Sequence, residues 1–353
     1  MCPHHPLPQV GAQHPAGCAA AGGAPARTGR SDGPRRRRLR PLGPPRVRRG
    51  PRLVRGLGIP GLHRPGRHLL GGQRVSTERH AVAQLASHGR GWKLQGPSRA
   101  HPVTLPRYAR FKYGDSTHVD RFAQALVGIS LPALQGTQGP LYVTSSGYGF
   151  TPPAAAALLE PAVAALRRAG LDARPFHTHR DSVTPADYAT LGPDERSLAL
   201  CADQLHPALP PDALRGATVL GLDDVVVTGV HERALELALR RDGAARVLHA
   251  YLVDASEAAC SPQVESWLNG PAGTDPAALL AAAHSGSFTP NSRFLKAVLR
   301  LPAAQRARVL ASLPPGLVAW MLEGAQRDRM DLVPDLADGM DALLASAPTT
   351  ATA

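Results

Sequence analysis

Two adjacent acids, Asp223 and Asp224, follow the apolar run Thr218-Val219-Leu220-Gly221-Leu222, and the chain continues Val225-Val226-Val227-Thr228-Gly229-Val230-His231-Glu232. An apolar strand that runs into two carboxylates, then a Thr-Gly loop, then a helix, unites two kinds of recognition. Neighbouring carboxylates accept hydrogen bonds from two neighbouring hydroxyls, such as those of a ribose. The amides of Val227, Thr228, Gly229, Val230 and His231 open a helix, where unpaired N–H groups and the helix dipole favour a phosphate. Gly229 lets the backbone approach closely. A ribose 5-phosphate would span both halves. A plain strand-to-helix turn with a capping acid pair shares parts of this order but not the whole of it.

Two further stretches carry polar chemistry. Thr144-Ser145-Ser146-Gly147-Tyr148-Gly149-Phe150-Thr151-Pro152-Pro153 follows the apolar Leu141-Tyr142-Val143. It echoes a potassium-channel filter, yet no spanning helices flank it. It also opens like a dinucleotide fingerprint, yet the third glycine is missing. By itself it is a Ser/Gly turn. The run from His177 to Arg196 holds Arg180, Asp181, Tyr188, Asp194, Glu195 and Arg196. It is long for a connection between core strands, and a solvated loop with a helix over Pro193–Ala202 is the plain alternative.

These residues need a scaffold. Leu141–Thr144, Ala217–Leu222 and Arg246–Val253 read as strands, with a shorter one over Ala173–His177. Helices are expected after Asp115-Ser116, with Val119, Phe122 and Leu126 inward, after Thr151-Pro152-Pro153, and over His231–Arg241. Pro161 predicts a kink or break in the second of these. Alternation of this kind argues for an α/β fold, a parallel sheet flanked by helices, with ligands at the carboxyl ends of the strands. After about residue 275 only helical patterns remain: Pro276–Ala283, Ser292–Leu301, Ala304–Leu313 and Leu317–Gln326.

The 353 residues carry a formal charge of +13, but residues 1–110 hold 21 Lys+Arg against two acids, while the rest is net acidic. A uniformly basic nucleic-acid binder is thereby excluded. Residues 1–100 lack Phe and Tyr and contain Arg35-Arg36-Arg37-Arg38, a composition that buries too little apolar surface to order the backbone. They read as a disordered basic arm or a mis-called start. The expected divisions are 1–100, a folded domain 101–275, a helical appendage 276–345 and a frayed tail 346–353. No apolar run reaches the roughly 20 residues of a membrane span. Four scattered cysteines are too few for a disulfide scaffold, and a cytoplasmic location is expected.

The strand, acid pair and Thr-Gly loop resemble the type I phosphoribosyltransferases. The resemblance implies that Asp223 and Asp224 hold the ribose hydroxyls of phosphoribosyl pyrophosphate (PRPP) and that Val227–His231 hold its 5-phosphate. It implies a pyrophosphate loop at Thr144, Ser145, Ser146 and Gly147, and a mobile loop over His177–Arg196 whose Arg180 and Arg196 neutralise the leaving group. His231 stands where that family usually has Thr or Ser, and Val230 where it has a small residue. Tyr108-Ala109-Arg110-Phe111-Lys112-Tyr113-Gly114-Asp115, the Tyr188…Glu195-Arg196 spacing, Thr228-Gly229-Val230-His231-Glu232 and Thr289-Pro290-Asn291-Ser292-Arg293 are similar to the competence-protein-F-like (ComF-like) branch. There His231-Glu232 is the ordinary variant, and Tyr108, Arg110, Lys112 and Tyr113 are acceptor or pyrophosphate candidates.

The resemblance implies a transferase that moves phosphoribose from PRPP to a nitrogen acceptor, in nucleotide metabolism or beside stress and tellurium-resistance genes. Mg²⁺ is its implied cofactor, held mainly through PRPP rather than by direct protein ligands. PRPP and a small-molecule acceptor are the expected partners, without a membrane; a homodimer and nucleic-acid contact through the basic arm stay open. The rival reading is a non-catalytic module that senses PRPP or a nucleotide.

Overall fold

The apolar runs become neighbours in one sheet. In the computed structural model the large sheet contains β1 (Glu78–His88), β2 (Gly91–Gln95), β3 (Leu141–Ser145) and β4 (Ala173–Pro175). A separate antiparallel pair, β5 (Thr178–Arg180) and β6 (Leu205–Pro207), follows. The large sheet is completed by β7 (Thr218–Val226) and β8 (Arg246–Asp254), and its order is β2-β1-β8-β7-β3-β4. Every pairing in it is parallel except β1 with β2. The structure describes residues 78–88, 91–96, 101–181, 204–259, 261, 263–270 and 275–346. All of these belong to the unit Gly71–Ala353. Arg196, Tyr188, Glu195, the expected Pro193–Ala202 helix, all four cysteines, the Arg35–Arg38 run and residues 347–353 lie outside the described residues.

Strand alternation sends β7 side chains to both faces of the sheet. Leu220 and Leu222 join a core with Phe122, Leu126 and Leu248, under α1 (Leu105–Lys112), α2 (Val119–Leu134), a 3₁₀ turn (Ala154–Leu158) and α3 (Leu159–Arg168). Val219 joins Val247, Ala234 and Leu239 under α4 (Val230–Arg241) on the other face. A short α5 (Val264–Asn269) packs beside α1. The chain leaves β3 toward β4 and returns to set β7 on the opposite side of β3. That reversal opens a crevice at the carboxyl ends of β3 and β7.

Two local expectations shift. Asp115 and Ser116 do not cap α2, which starts at Val119 after His118. Asp115 instead accepts from the Thr117 amide and pairs with Arg110. Pro161 causes no break, because the 3₁₀ turn hands over to α3 at Leu159 and the proline falls in the first turn, where a missing N–H is tolerated.

The folded part does not begin near His101. β1 and β2 lie inside the stretch read as an arm, with Val82, Ala83 and Leu85 buried. The partner that buries β1 is β8, in the register Glu78↔Leu248 through Gln84↔Asp254. Local composition carries no trace of a partner so far downstream.

The four helices read after residue 275 are present as α6 (Pro276–Ala283), α7 (Ser292–Arg300), α8 (Ala303–Ser312) and α9 (Pro315–Arg327), and α10 (Ala337–Ala345) adds a fifth. They share a core that includes Leu279, Phe294, Val298, Leu310 and Met321. Asn291 caps α7 by accepting from the Phe294 amide at 2.9 Å.

Candidate functional site

The crevice is a cleft of about 260 Å³. Its position follows from register: Ser145 pairs with Leu222, so the chain leaving β3 passes directly beside Asp223. Ser146, Gly147, Arg180, Asp223, Asp224 and the whole run Val227–His231 line this one space.

β7 runs on through the acids to Val226, so the two carboxylates sit on a strand and leave it on opposite sides. Asp224 is buried and forms an ion pair with the Nζ of Lys112, at the end of α1. The same Nζ lies 5.9 Å from the centre of the Tyr108 ring. Asp223 accepts from the Asp224 amide at 2.8 Å and from the Ser146 hydroxyl. Burial, and then the charge of Asp224, push its pKa from 3.8 up to about 7. Burial likewise raises the hydroxyl of Tyr251, which is hydrogen-bonded to Glu232, and keeps the buried His249 imidazole neutral by lowering its pKa.

Gly229 is the N-cap of α4 with φ +68°, a left-handed conformation that glycine adopts at little cost. No side chain caps this end of α4. The first turn of α4 borders the cleft, and the helix dipole there favours an anion. Val230 turns its side chain into the core, and the backbone around it lines the space.

The expected pyrophosphate loop divides. Thr144 and Ser145 belong to β3 and are buried; the Thr144 hydroxyl lies 2.9 Å from that of Thr178. They do not reach the cleft, because a strand covered on both faces points its side chains into the core. Ser146 and Gly147 do line it. Arg180 reaches the cleft from β5, its amide donating to the Tyr148 carbonyl.

Several contributors carry no local signal. Arg79 on β1 donates to both oxygens of Glu232, at 2.8 and 2.7 Å. Asp328, just beyond α9, accepts from the Phe150 and Thr151 amides at 2.7 and 2.8 Å and from the Thr151 hydroxyl. Arg293 and Lys296 of α7 line the far wall, with Arg293 3.5 Å from Glu265 of α5. The Asn291-Ser292-Arg293 motif was the only sequence pointer to that wall.

A family model described as PRTase ComF-like matches residues 92–320, more than half of the sequence, and the chain belongs to this family. No curated protein matches it. Among solved structures it is similar to a hypoxanthine phosphoribosyltransferase from Staphylococcus aureus, at 12% identity and a TM-score of 0.27, over 39% of this chain and 64% of that one. It is similar to a ternary substrates complex of hypoxanthine phosphoribosyltransferase from Trypanosoma cruzi, at 15% identity and a TM-score of 0.29, over 41% and 71%. A hypoxanthine-guanine phosphoribosyltransferase from Bacillus anthracis gives 12%, 0.26, 41% and 72%. The chain thus spans just under two thirds of the length of the Staphylococcus aureus protein. Among the described residues, no helix is long and apolar enough to cross a membrane.

Proposed function

We propose that this chain transfers phosphoribose from PRPP to a nitrogen acceptor and releases pyrophosphate. The observation that carries this reading is the single cleft in which Asp223 and Asp224 meet the first turn of α4 and the Ser146-Gly147 turn. Membership of the ComF-like phosphoribosyltransferase family supports it.

In this reading the loop Val227–His231 holds the 5-phosphate with backbone amides, and Asp223 accepts from a ribose hydroxyl. Ser146 and Gly147 hold the pyrophosphate, and Arg180 offsets the charge that gathers on it as the bond between C1 and oxygen breaks. The electron pair leaves with pyrophosphate, the acceptor nitrogen bonds to C1 of an oxocarbenium-like sugar, and the displaced proton passes to solvent. Arg293 and Lys296 face the side from which an acceptor approaches.

The residues fit Mg²⁺ held largely by substrate. Asp223 offers one acceptor-only carboxylate to the cleft, its ionisation opposed by burial and by Asp224, and a cation beside it would relieve that opposition. Asp223 would hold the ion together with oxygens of PRPP; when bound, it supplies charge neutralisation on the pyrophosphate.

One observation favours a second reading, a PRPP-sensing module without turnover: Asp224 is already engaged by Lys112. A pyrophosphate-release screen across purines, pyrimidines and small amines, run on wild type, Asp223→Asn and Asp224→Asn, separates the two. Release that disappears in the variants supports transfer. PRPP binding without release from wild type supports sensing, and undiminished release from both variants overturns the site.

A further inference from the structure

Glu232 is the third residue of α4, and it lines the cleft one position beyond the loop assigned to the 5-phosphate. A carboxylate there opposes the very ligand that the loop should hold. Its side chain is only 2% exposed, so solvent does little to screen its charge. Three groups from neighbouring strands meet it or its partner. Arg79 of β1 grips both of its oxygens, and Tyr251 of β8 is hydrogen-bonded to it. Asp254 of β8 stands 3.7 Å from the Arg79 guanidinium.

Arg79 also sits against Gly229. A Cβ placed on Gly229 would lie 3.2 Å from Nη2 of Arg79. The guanidinium thus occupies the side of the loop that a side chain at 229 would take. Its pKa is raised, first by the hydrogen bond to Glu232, so it stays charged. Arg79 falls before the residues 92–320 that the family model matches.

We infer that Arg79 is a positioning residue for the phosphate end of the cleft: it cancels the Glu232 charge and braces Gly229, so that an anion can settle on the first turn of α4. This rests on the phosphoribosyl reading and extends the functional unit to β1. Arg79 acts through Glu232 and the loop, so its loss should harm the phosphate end and spare the pyrophosphate end.

The test is calorimetric titration of the full chain with ribose 5-phosphate and, separately, with pyrophosphate, using wild type, Arg79→Gln and the double variant Arg79→Gln/Glu232→Gln. The expected result is a loss of about tenfold in ribose 5-phosphate affinity for Arg79→Gln, since a bare buried carboxylate then faces the phosphate. Pyrophosphate affinity should stay within about twofold, and the double variant should recover most of the loss. Ribose 5-phosphate affinity unchanged in Arg79→Gln overturns the inference, as does a double variant no better than the single one. Equal loss for both ligands also overturns it, since that is general damage. If Arg79→Gln does not fold, Arg79→Lys takes its place with an intermediate loss expected, and full wild-type affinity there overturns the bracing role. Wild type that binds neither ligand overturns the phosphoribosyl reading itself, and the inference with it.

Discussion

Lys112 and Asp224 form an ion pair within the cleft, with side chains only 10% and 7% exposed. Two desolvated charges of this kind stabilise little beyond an apolar pair of the same shape, but removing one of them is costly. Lys112→Met should destabilise the fold by about 3–5 kcal/mol, because Asp224 is left buried and unpaired. Lys112→Met/Asp224→Asn should regain a large part. Urea melts at neutral pH measure both, and a double variant no more stable than Lys112→Met would show that the pair is not the source.

Asp223 makes stability fall as pH rises. Its folded-state pKa, pushed from 3.8 to about 7, lies above its unfolded value. The folded chain therefore holds this proton more tightly, and the contribution is fully present below about pH 4 and lost as pH climbs through about 7. Asp223→Asn should lack that part of the slope. Midpoints of thermal unfolding collected from pH 4 to pH 8 (for both proteins) test it, and parallel curves would sink the assignment. PRPP affinity should move the opposite way in wild type, rising above pH 7 as the acceptor form fills.

Gly229→Ala should act on the backbone and on a neighbour together. A φ of +68° costs an alanine about 1–2 kcal/mol, and its methyl would press on Nη2 of Arg79 at 3.2 Å. The expected outcome is a stability loss of that size with a larger fractional loss of PRPP binding. Binding at the wild-type level would show that the loop tolerates a reshaped first turn.

Asp328 gathers three donors from Phe150 and Thr151. Asp328→Ala leaves those donors without an acceptor, at a cost of about 2–3 kcal/mol. Because the Gly147–Thr151 turn loses its anchor, pyrophosphate affinity should fall while ribose 5-phosphate affinity holds. Chemical denaturation and the two titrations decide between this and a general loss of structure.

What could be read from the sequence was what is local in it. Asp223, Asp224 and Gly229 stand within a few residues on one strand, loop and helix, so their order alone places them together. Ser145 lies one residue past the expected strand end because an apolar run does not show where a strand ends, and β3 continues through it. Arg79 and Asp328, and the pairing of Lys112 with Asp224, escaped for a common reason. Each contact joins residues far apart in the chain, Arg79 with Glu232, Lys112 with Asp224 and Asp328 with Phe150, at separations of 153, 112 and 178 positions. No window of sequence holds both ends of such a pair. The burial of Val82 and Leu85 is likewise supplied by distant neighbours, which is why β1 looked like part of an arm.

The parallel pairing of β1 with β8 also sets an order of events during synthesis. β1 must wait for the strand starting at Arg246 before its parallel ladder can form, and the ion pair between Glu78 and Arg246 joins the two ends of that wait. Until then β1 has only β2 to pair with, and a β8 that has emerged without it offers an open rim to any extended segment nearby. Slow translation between these two points, or a chaperone that shields the early segment, would govern how much of this protein reaches its finished form.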